Sequence, residues 1–161
     1  MLRNDLIEKI HRSPGYPSKE RLEKGAVAVI ECIQEIPCNP CETACKFKAI
    51  IIGEPITNLP RLIEDKCKGC GECIPSCPGL AIFLVDLAYS PNEATVSMPY
   101  EYYPLPIIGS TADALDRNGQ KVCDGVILKV SNPPRNDKTA VITVVVKKQF
   151  ADVVRNIRLK E

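Results

Sequence analysis

Cys67-Lys68-Gly69-Cys70-Gly71-Glu72-Cys73-Ile74-Pro75-Ser76-Cys77-Pro78 is the stretch on which the reading of this chain turns. Its spacing is C-x2-C-x2-C-x3-C-P. Three thiolates two residues apart, on a loop that Gly69 and Gly71 let turn tightly, can wrap three iron atoms of one cubane. The fourth, carried on by three more residues, points to a different centre. The two glycines are also expected to bring backbone N–H groups close enough to donate to sulfur. A shift of 32 residues takes Cys70, Cys73 and Cys77 onto Cys38, Cys41 and Cys45, and Ala81-Ile82 onto Ala49-Ile50. A repeat that carries packing residues along with cysteines is expected of a duplicated half. The same shift takes Cys67 to Glu35, which is not a cysteine. The nearest spare thiol is Cys32, so Cys32 and Glu35 both stand as candidates for that place. Cys32 would use a first loop three residues longer.

Outward from this stretch, the chain has 161 residues with 9 cysteines and 14 prolines, and eight of the cysteines fall between Cys32 and Cys77. Hydrophobic residues make up 45%, enough for a core, and 21 basic against 20 acidic side chains leave no field for nucleic acid or a membrane surface. The N-terminal MLRNDLIEKIHRS is charged throughout and has no apolar stretch of the secretory kind. The longest apolar runs, Leu80–Val85 and Ala26–Ile30, are far too short for a membrane span. A cytoplasmic location is expected. There thiols stay reduced, and clustered cysteines mean metal or redox chemistry more often than disulfides. Structural zinc sites favour two C-x2-C pairs separated by a longer loop, which is not this arrangement.

Along the chain, Leu2, Leu6, Ile7 and Ile10 recur at helical spacing, and Pro14, Gly15 and Pro17 break the pattern. Ser18 can cap a short helix over Lys19–Lys24, ended by Gly25. Ala26–Ile36 reads as a strand into the first cysteines. Strands are expected at Ala81–Tyr89, Glu93–Tyr100, Ala112–Lys121, Val126–Val130 and Ala140–Lys148, with Asn118-Gly119 as a hairpin signal. Phe150, Val153, Val154 and Ile157 recur at helical spacing and predict a closing helix over Gln149–Leu159. The fold class is therefore α+β: a cysteine-rich unit followed by a small, mostly-β, barrel-like domain with a C-terminal helix. The divisions expected are an N-terminal helical extension (1–25), the cysteine unit (26–85) and the β-domain (86–161).

Residues from about Ala26 to Val85 resemble a bacterial-type ferredoxin domain with two [4Fe–4S] clusters. The resemblance implies crossed ligation. Cys32, Cys38, Cys41 and Cys77 would hold cluster one; Cys45, Cys67, Cys70 and Cys73 would hold cluster two. The chain departs from that pattern at Glu35 and at Lys46, which replaces the proline that usually follows the last cysteine of a run. The segment Gly15-Tyr16-Pro17-Ser18-Lys19-Glu20-Arg21-Leu22-Glu23-Lys24-Gly25, the stretch Ile36-Pro37-Cys38-Asn39-Pro40-Cys41-Glu42-Thr43-Ala44-Cys45 and the β tail together resemble the ferredoxin-like small subunits of flavin-dependent amine or imino-acid (proline-type) dehydrogenases. That second resemblance implies FAD-containing partners, with or without a further iron–sulfur subunit, in a hetero-oligomer.

The function expected is one-electron transfer by a subunit that is not catalytic alone. No Gly-rich phosphate loop is present, and His11 is the only histidine, expected to be solvated on a surface helix. Cys123 reads as a packing cysteine. Tyr100, Tyr102 and Tyr103, beside Pro104-Leu105-Pro106, read as core or docking residues. Lys46, Lys48, Lys66 and Lys68 flank the second quartet and Glu31, Glu35 and Glu42 the first, so cluster two is expected to have the higher potential. A chain cut after about Tyr89 is expected to keep its clusters and lose its partner. The rival reading is a scaffold or binding protein in which the clusters are structural staples.

Overall fold

A computed structural model describes residues 3–161. Leu2, the first residue of the N-terminal helical pattern, lies outside the described residues. Helix α1 (Arg3–His11) is followed by a short α2 (Lys19–Leu22), whose N-cap Ser18 accepts a hydrogen bond from the Arg21 N–H. Strand β1 (Val27–Ile30) is buried along its whole length. The cysteine region holds two one-turn helices, α3 (Pro40–Ala44) and α4 (Cys73–Ser76), and two two-residue strands, β2 (Ile50–Ile51) and β3 (Arg61–Leu62). Then come β4 (Ile82–Asp86), β5 (Glu93–Tyr100), β6 (Thr111–Leu115), β7 (Lys121–Ser131), β8 (Ala140–Lys147) and β9 (Asn156–Leu159).

Seven strands form one antiparallel sheet in the order β1-β4-β5-β8-β7-β6-β9, and β2 and β3 pair separately. The sheet runs through position 85/86 without a break, because β4 pairs with β1 on one side and β5 on the other. Alternation explains the strands. On β5, Ala94, Val96 and Met98 meet Val146, Val144 and Ile142 of β8, and all six side chains are buried. Gly125 allows β7 to cross β8 closely, since a Cβ there would collide with Val144 Cγ1. One core lies inside the curl of the sheet and joins Val29 of β1 to Ile157 of β9. A second packs Ile30, Ile50, Ile52, Ile74 and Ile82 around Cys41 and Cys73.

The two edge strands meet through side chains. Glu31, just after β1, accepts a hydrogen bond from Arg155 Nε at 2.8 Å, and Arg155 immediately precedes β9. Arg117, in the β6–β7 turn, donates to the same carboxylate from Nε at 2.9 Å and also from Nη2. Burial pushes the Glu31 carboxyl up. The Arg117 hydrogen bonds and the charges of Arg155 and Arg117 outweigh this and hold it below the ordinary carboxylate range.

The structure corrects several expectations. The stretch 149–159 is not a helix: a 3-10 turn (Lys148–Phe150) leads into β9, which pairs antiparallel with β6. The edge of β6 offers a full backbone ladder. The Arg155 guanidinium meanwhile satisfies the Ala151 and Val154 carbonyls of the intervening turn. Ala112–Lys121 is divided by a turn in which the Asp116 carboxylate accepts from the Asn118 and Gln120 N–H groups, and Gly119 has φ +78°. The strand expected over Ala26–Ile36 ends at Ile30, because the chain must leave the sheet to bring Cys32 toward Cys38 and Cys41.

Candidate metal centre

The eight clustered cysteines fall into two groups, each around its own cavity. Cys32, Cys38, Cys41 and Cys77 line one, together with Ile30, Ile36, Ile52 and Ile82. Cys45, Cys67, Cys70 and Cys73 line another, with Ala28, Ala49, Ile50 and Leu84. The last cysteine of each run faces the other run's quartet, so Cys45 joins 67, 70 and 73 while Cys77 joins 32, 38 and 41. Cys32 stands in the first group and Glu35 is exposed outside it. Among the described residues no three His, Cys, Asp or Glu side chains are close enough together to hold a single metal ion. Cys123 stands apart, half-buried against the core of the large sheet.

Backbone geometry repeats with the cysteines at the same 32-residue offset. Cys45 and Cys77 each accept a hydrogen bond at sulfur from the N–H four residues on, Ala49 at 3.3 Å and Ala81 at 3.5 Å. Lys48 and Leu80, one residue earlier, both take the left-handed conformation, with φ of 53° and 52°. Each also donates its N–H to the carbonyl of the preceding cysteine. That conformation is uncommon for side chains of this size, and its recurrence at both places shows that it serves to turn the chain back over sulfur. The pairing Ile30↔Ile82 maps onto Leu62↔Ile50, and Val29↔Phe83 onto Arg61↔Ile51. The Glu31 N–H donates to Ala81 O, and its repeat partner Ile63 N–H to Ala49 O.

Gly69 and Gly71 both take positive φ, 67° and 76°, as a tight loop between the cysteines requires. A Cβ on Gly69 would meet Ala26 O at 2.6 Å, so this residue lets the loop of the second quartet lie against the start of β1. The N–H groups that reach cysteine sulfur are those of Ala28, Ala49 and Ala81. Arg21 locks the same region: its Nε bonds Glu64 O, Nη1 bonds Gly25 O, and Nη2 bonds both Ala26 O and Cys67 O. The N-terminal extension is thereby stapled to the cysteine unit.

The thiols feel their crowding. Burial, then the neighbouring Cys77 and Cys38, push the Cys41 thiol up to about 11. Burial also raises Cys32, next to Cys77 and Cys38, and raises Cys73 strongly, next to Cys67, Cys70 and Cys45. Groups of this kind give up protons when a cationic centre replaces them, so loading would release protons. An all-thiolate donor set fits an iron–sulfur cluster by its softness.

Charges near the quartets differ from the sequence expectation. Glu31 is matched by two arginines, and Lys46 pairs with Glu72 at 3.2 Å. His11 is not merely solvated: its Nε2 lies 2.9 Å from Asp152, and its ring meets that of Tyr16, whose hydroxyl also donates to Asp152. Local spacing carries no signal for a link between residues so far apart in the chain. Tyr100 belongs to the core, while Tyr102, Tyr103, Ile107 and Ile108 are exposed.

Residues 60–83, from β3 through the second cysteine run into β4, match the family of 4Fe-4S binding domains. This segment is an iron–sulfur, ferredoxin-type domain. Over 45 residues the chain is 42% identical to a component of the Na(+)-translocating ferredoxin:NAD(+) oxidoreductase complex of Acetobacterium woodii, covering 28% of this chain and 13% of that protein. Over 51 residues it is 37% identical to the ferredoxin-type protein NapF of Escherichia coli strain K12, covering 30% of this chain and 31% of NapF. The chain thus spans from about an eighth to a third of the curated relatives it matches. No solved structure matches it. Among the described residues no helix is long and apolar enough to cross a membrane.

Proposed function

We propose that this chain is an electron-transfer subunit holding two [4Fe–4S] clusters, one on Cys32, Cys38, Cys41 and Cys77 and one on Cys45, Cys67, Cys70 and Cys73. The observation that carries the reading is the repeated backbone geometry around two separate thiol quartets. Four thiols spread around a cavity suit a four-cornered cluster, and the match over residues 60–83 supplies the cluster type. When bound, each cluster takes up and returns one electron at a time. The chain's own residues would fix its surroundings. Ala49 and Ala81 direct N–H groups at ligating sulfur, which favours the more negative state, and the isoleucines of the second core exclude water.

The donor in this reading is a FAD-dependent amine or imino-acid dehydrogenase, with or without a further iron–sulfur subunit, in a cytoplasmic hetero-oligomer. A flavin releases two electrons and each cluster accepts one, so two clusters in one chain can split the pair. The relatives' names, one a component of a complex and one a ferredoxin-type protein, support a role within an assembly. The exposed Tyr102, Tyr103, Ile107 and Ile108 offer an apolar docking patch on the β extension.

Anaerobically purified protein should carry about eight irons and eight labile sulfides, bleach reversibly with dithionite and give a cluster EPR signal. Mixed with a purified amine dehydrogenase of the flavin class and its substrate, it should be reduced in step with substrate loss. Stoichiometric zinc without labile sulfide would overturn the cluster assignment. Redox-silent clusters would favour the scaffold reading, which the continuity of β1 and β4 with the large sheet supports.

A further inference from the structure

A further cavity lies beside the second quartet and not within it. It is a half-open cleft of about 490 Å³. One wall is the loop Gly69–Ser76, where Cys70 is the exposed member of its quartet. Cys70, Gly71, Glu72, Ala44 and Leu84 line both this cleft and the cysteine cavity, so a single layer of residues separates them. The floor is the outer face of the large sheet. There Leu84, Ser97, Thr143 and Lys129 stand in one register row across β4, β5, β8 and β7. Ser97 and Thr143 satisfy each other across it, with their hydroxyl oxygens 2.8 Å apart.

The far wall comes from the β extension: Lys129 and Ser131 at the end of β7, then Arg135, Asn136 and Asp137. Among the described residues neither Lys129 nor Arg135 has an ion-pair partner. Glu72 on the opposite wall is matched by Lys46, which leaves Asp137 as the one unmatched carboxylate against two free cations among the described residues of the cleft. No aromatic side chain lines the cleft, whereas small-molecule sites are lined mainly by apolar and aromatic groups. A polar, half-open, cationic recess beside a redox loop suits a small, wet, charge-steered protein contact instead.

We propose that this cleft is the port through which the cluster held by Cys45, Cys67, Cys70 and Cys73 exchanges electrons, and that it receives an acidic segment of the electron-exchanging protein on Lys129 and Arg135. The port rests on the electron-carrier reading. It goes beyond that reading by placing the exchange at one cleft and giving the visitor a charge. One electron leaves the reduced cluster for the docked protein, with no bond made or broken and no proton moved.

The test uses the cluster-loaded full chain, a Lys129→Glu/Arg135→Glu variant and, as a control away from the cleft, Lys9→Glu/Lys19→Glu. The probes are flavodoxin, an acidic one-electron acceptor, the anionic iron(III)–EDTA complex and the cationic hexaammineruthenium(III). Circular dichroism and iron content check that all forms fold and load. At low ionic strength the cleft variant should bind flavodoxin about tenfold more weakly by calorimetry. Its reduced clusters should be oxidised about tenfold more slowly by flavodoxin and by iron(III)–EDTA, and faster by hexaammineruthenium(III), with the differences collapsing in high salt. The control should behave as wild type. Unchanged flavodoxin affinity and rate would overturn the port, and so would a response confined to the small ions. Oxidation that proceeds normally in both forms would leave the carrier reading standing while removing the port. Clusters that no probe oxidises would remove both.

Discussion

Glu31 stands one residue before Cys32 and carries the charge on which two arginines converge. Its carboxylate is almost fully buried, and so is Arg155. Removing one partner of a buried ion pair leaves the other uncompensated, so Glu31→Ala should lower unfolding free energy by about 3–5 kcal/mol in denaturant melts. Because the folded carboxyl lies below its ordinary value of 4.5, its stabilisation is complete above that pH and is lost as pH falls through the depressed value. The stability gap between wild type and Glu31→Gln should therefore be constant from about pH 8 to pH 5 and shrink below about pH 4.5. Glu31→Gln also leaves two arginines near Cys32 without their counter-charge. The potential of that cluster should rise by something on the order of tens of millivolts in an EPR-monitored titration. Lys46 and Glu72, both well exposed and paired, should matter less. At the neighbouring position, Cys32→Ser should lose or convert one cluster while Glu35→Gln keeps both, read as iron per chain. Cys32 faces the cavity of its quartet and Glu35 does not.

Among the elements, those with a local cause were legible in the sequence. β5 begins and ends where its alternation predicts, at Glu93 and Tyr100, and the Ser18 cap starts α2. The two cysteine runs were legible in spacing and duplication, whereas their crossed grouping was what the ferredoxin resemblance implied and Cys32 stood beside Glu35 as an open choice. What could not be read depends on distant partners. Phe150, Val153, Val154 and Ile157 satisfy a helical period, yet the ladder on β6 decides for a strand. The ties of Glu31 to Arg117 and Arg155, 86 and 124 positions away, leave no trace in local pattern. Arg21 is a similar case. It sits in a four-residue helix, but its guanidinium serves four carbonyls of the start of β1 and the loop of the second quartet. Arg21→Ala should cost about 2–3 kcal/mol in denaturant melts, a fraction of what four charge-assisted bonds could supply given its partial exposure. It should also speed amide exchange over residues 19–26 and 64–68. Arg21→Lys, lacking the fork, should recover only part.

At the scale of the whole molecule, one antiparallel sheet holds β1 and β4 of the cysteine unit together with five strands of the extension. Truncation after Tyr89 would strip β4 of its β5 partner, expose Val85 and Phe83, and take both arginines from Glu31. Such a chain should aggregate or lose the cluster on Cys32, Cys38, Cys41 and Cys77. Size-exclusion chromatography and iron analysis will tell, and a monodisperse truncated protein with both clusters would argue for an independent cysteine unit. The edges of the full sheet meet through three ions where a closed barrel would have a backbone ladder. Heat acts on these two kinds of closure differently. Hydration of charged groups weakens as temperature rises, so the penalty for keeping Glu31, Arg117 and Arg155 out of water shrinks on warming, whereas the gain from apolar burial levels off. The coupling between Glu31 and Arg155 in a double-mutant cycle should be larger at about 60 °C than at room temperature. The seam then becomes a fastening that tightens with warmth, and the curl of the sheet is held best under the conditions that loosen most of its core.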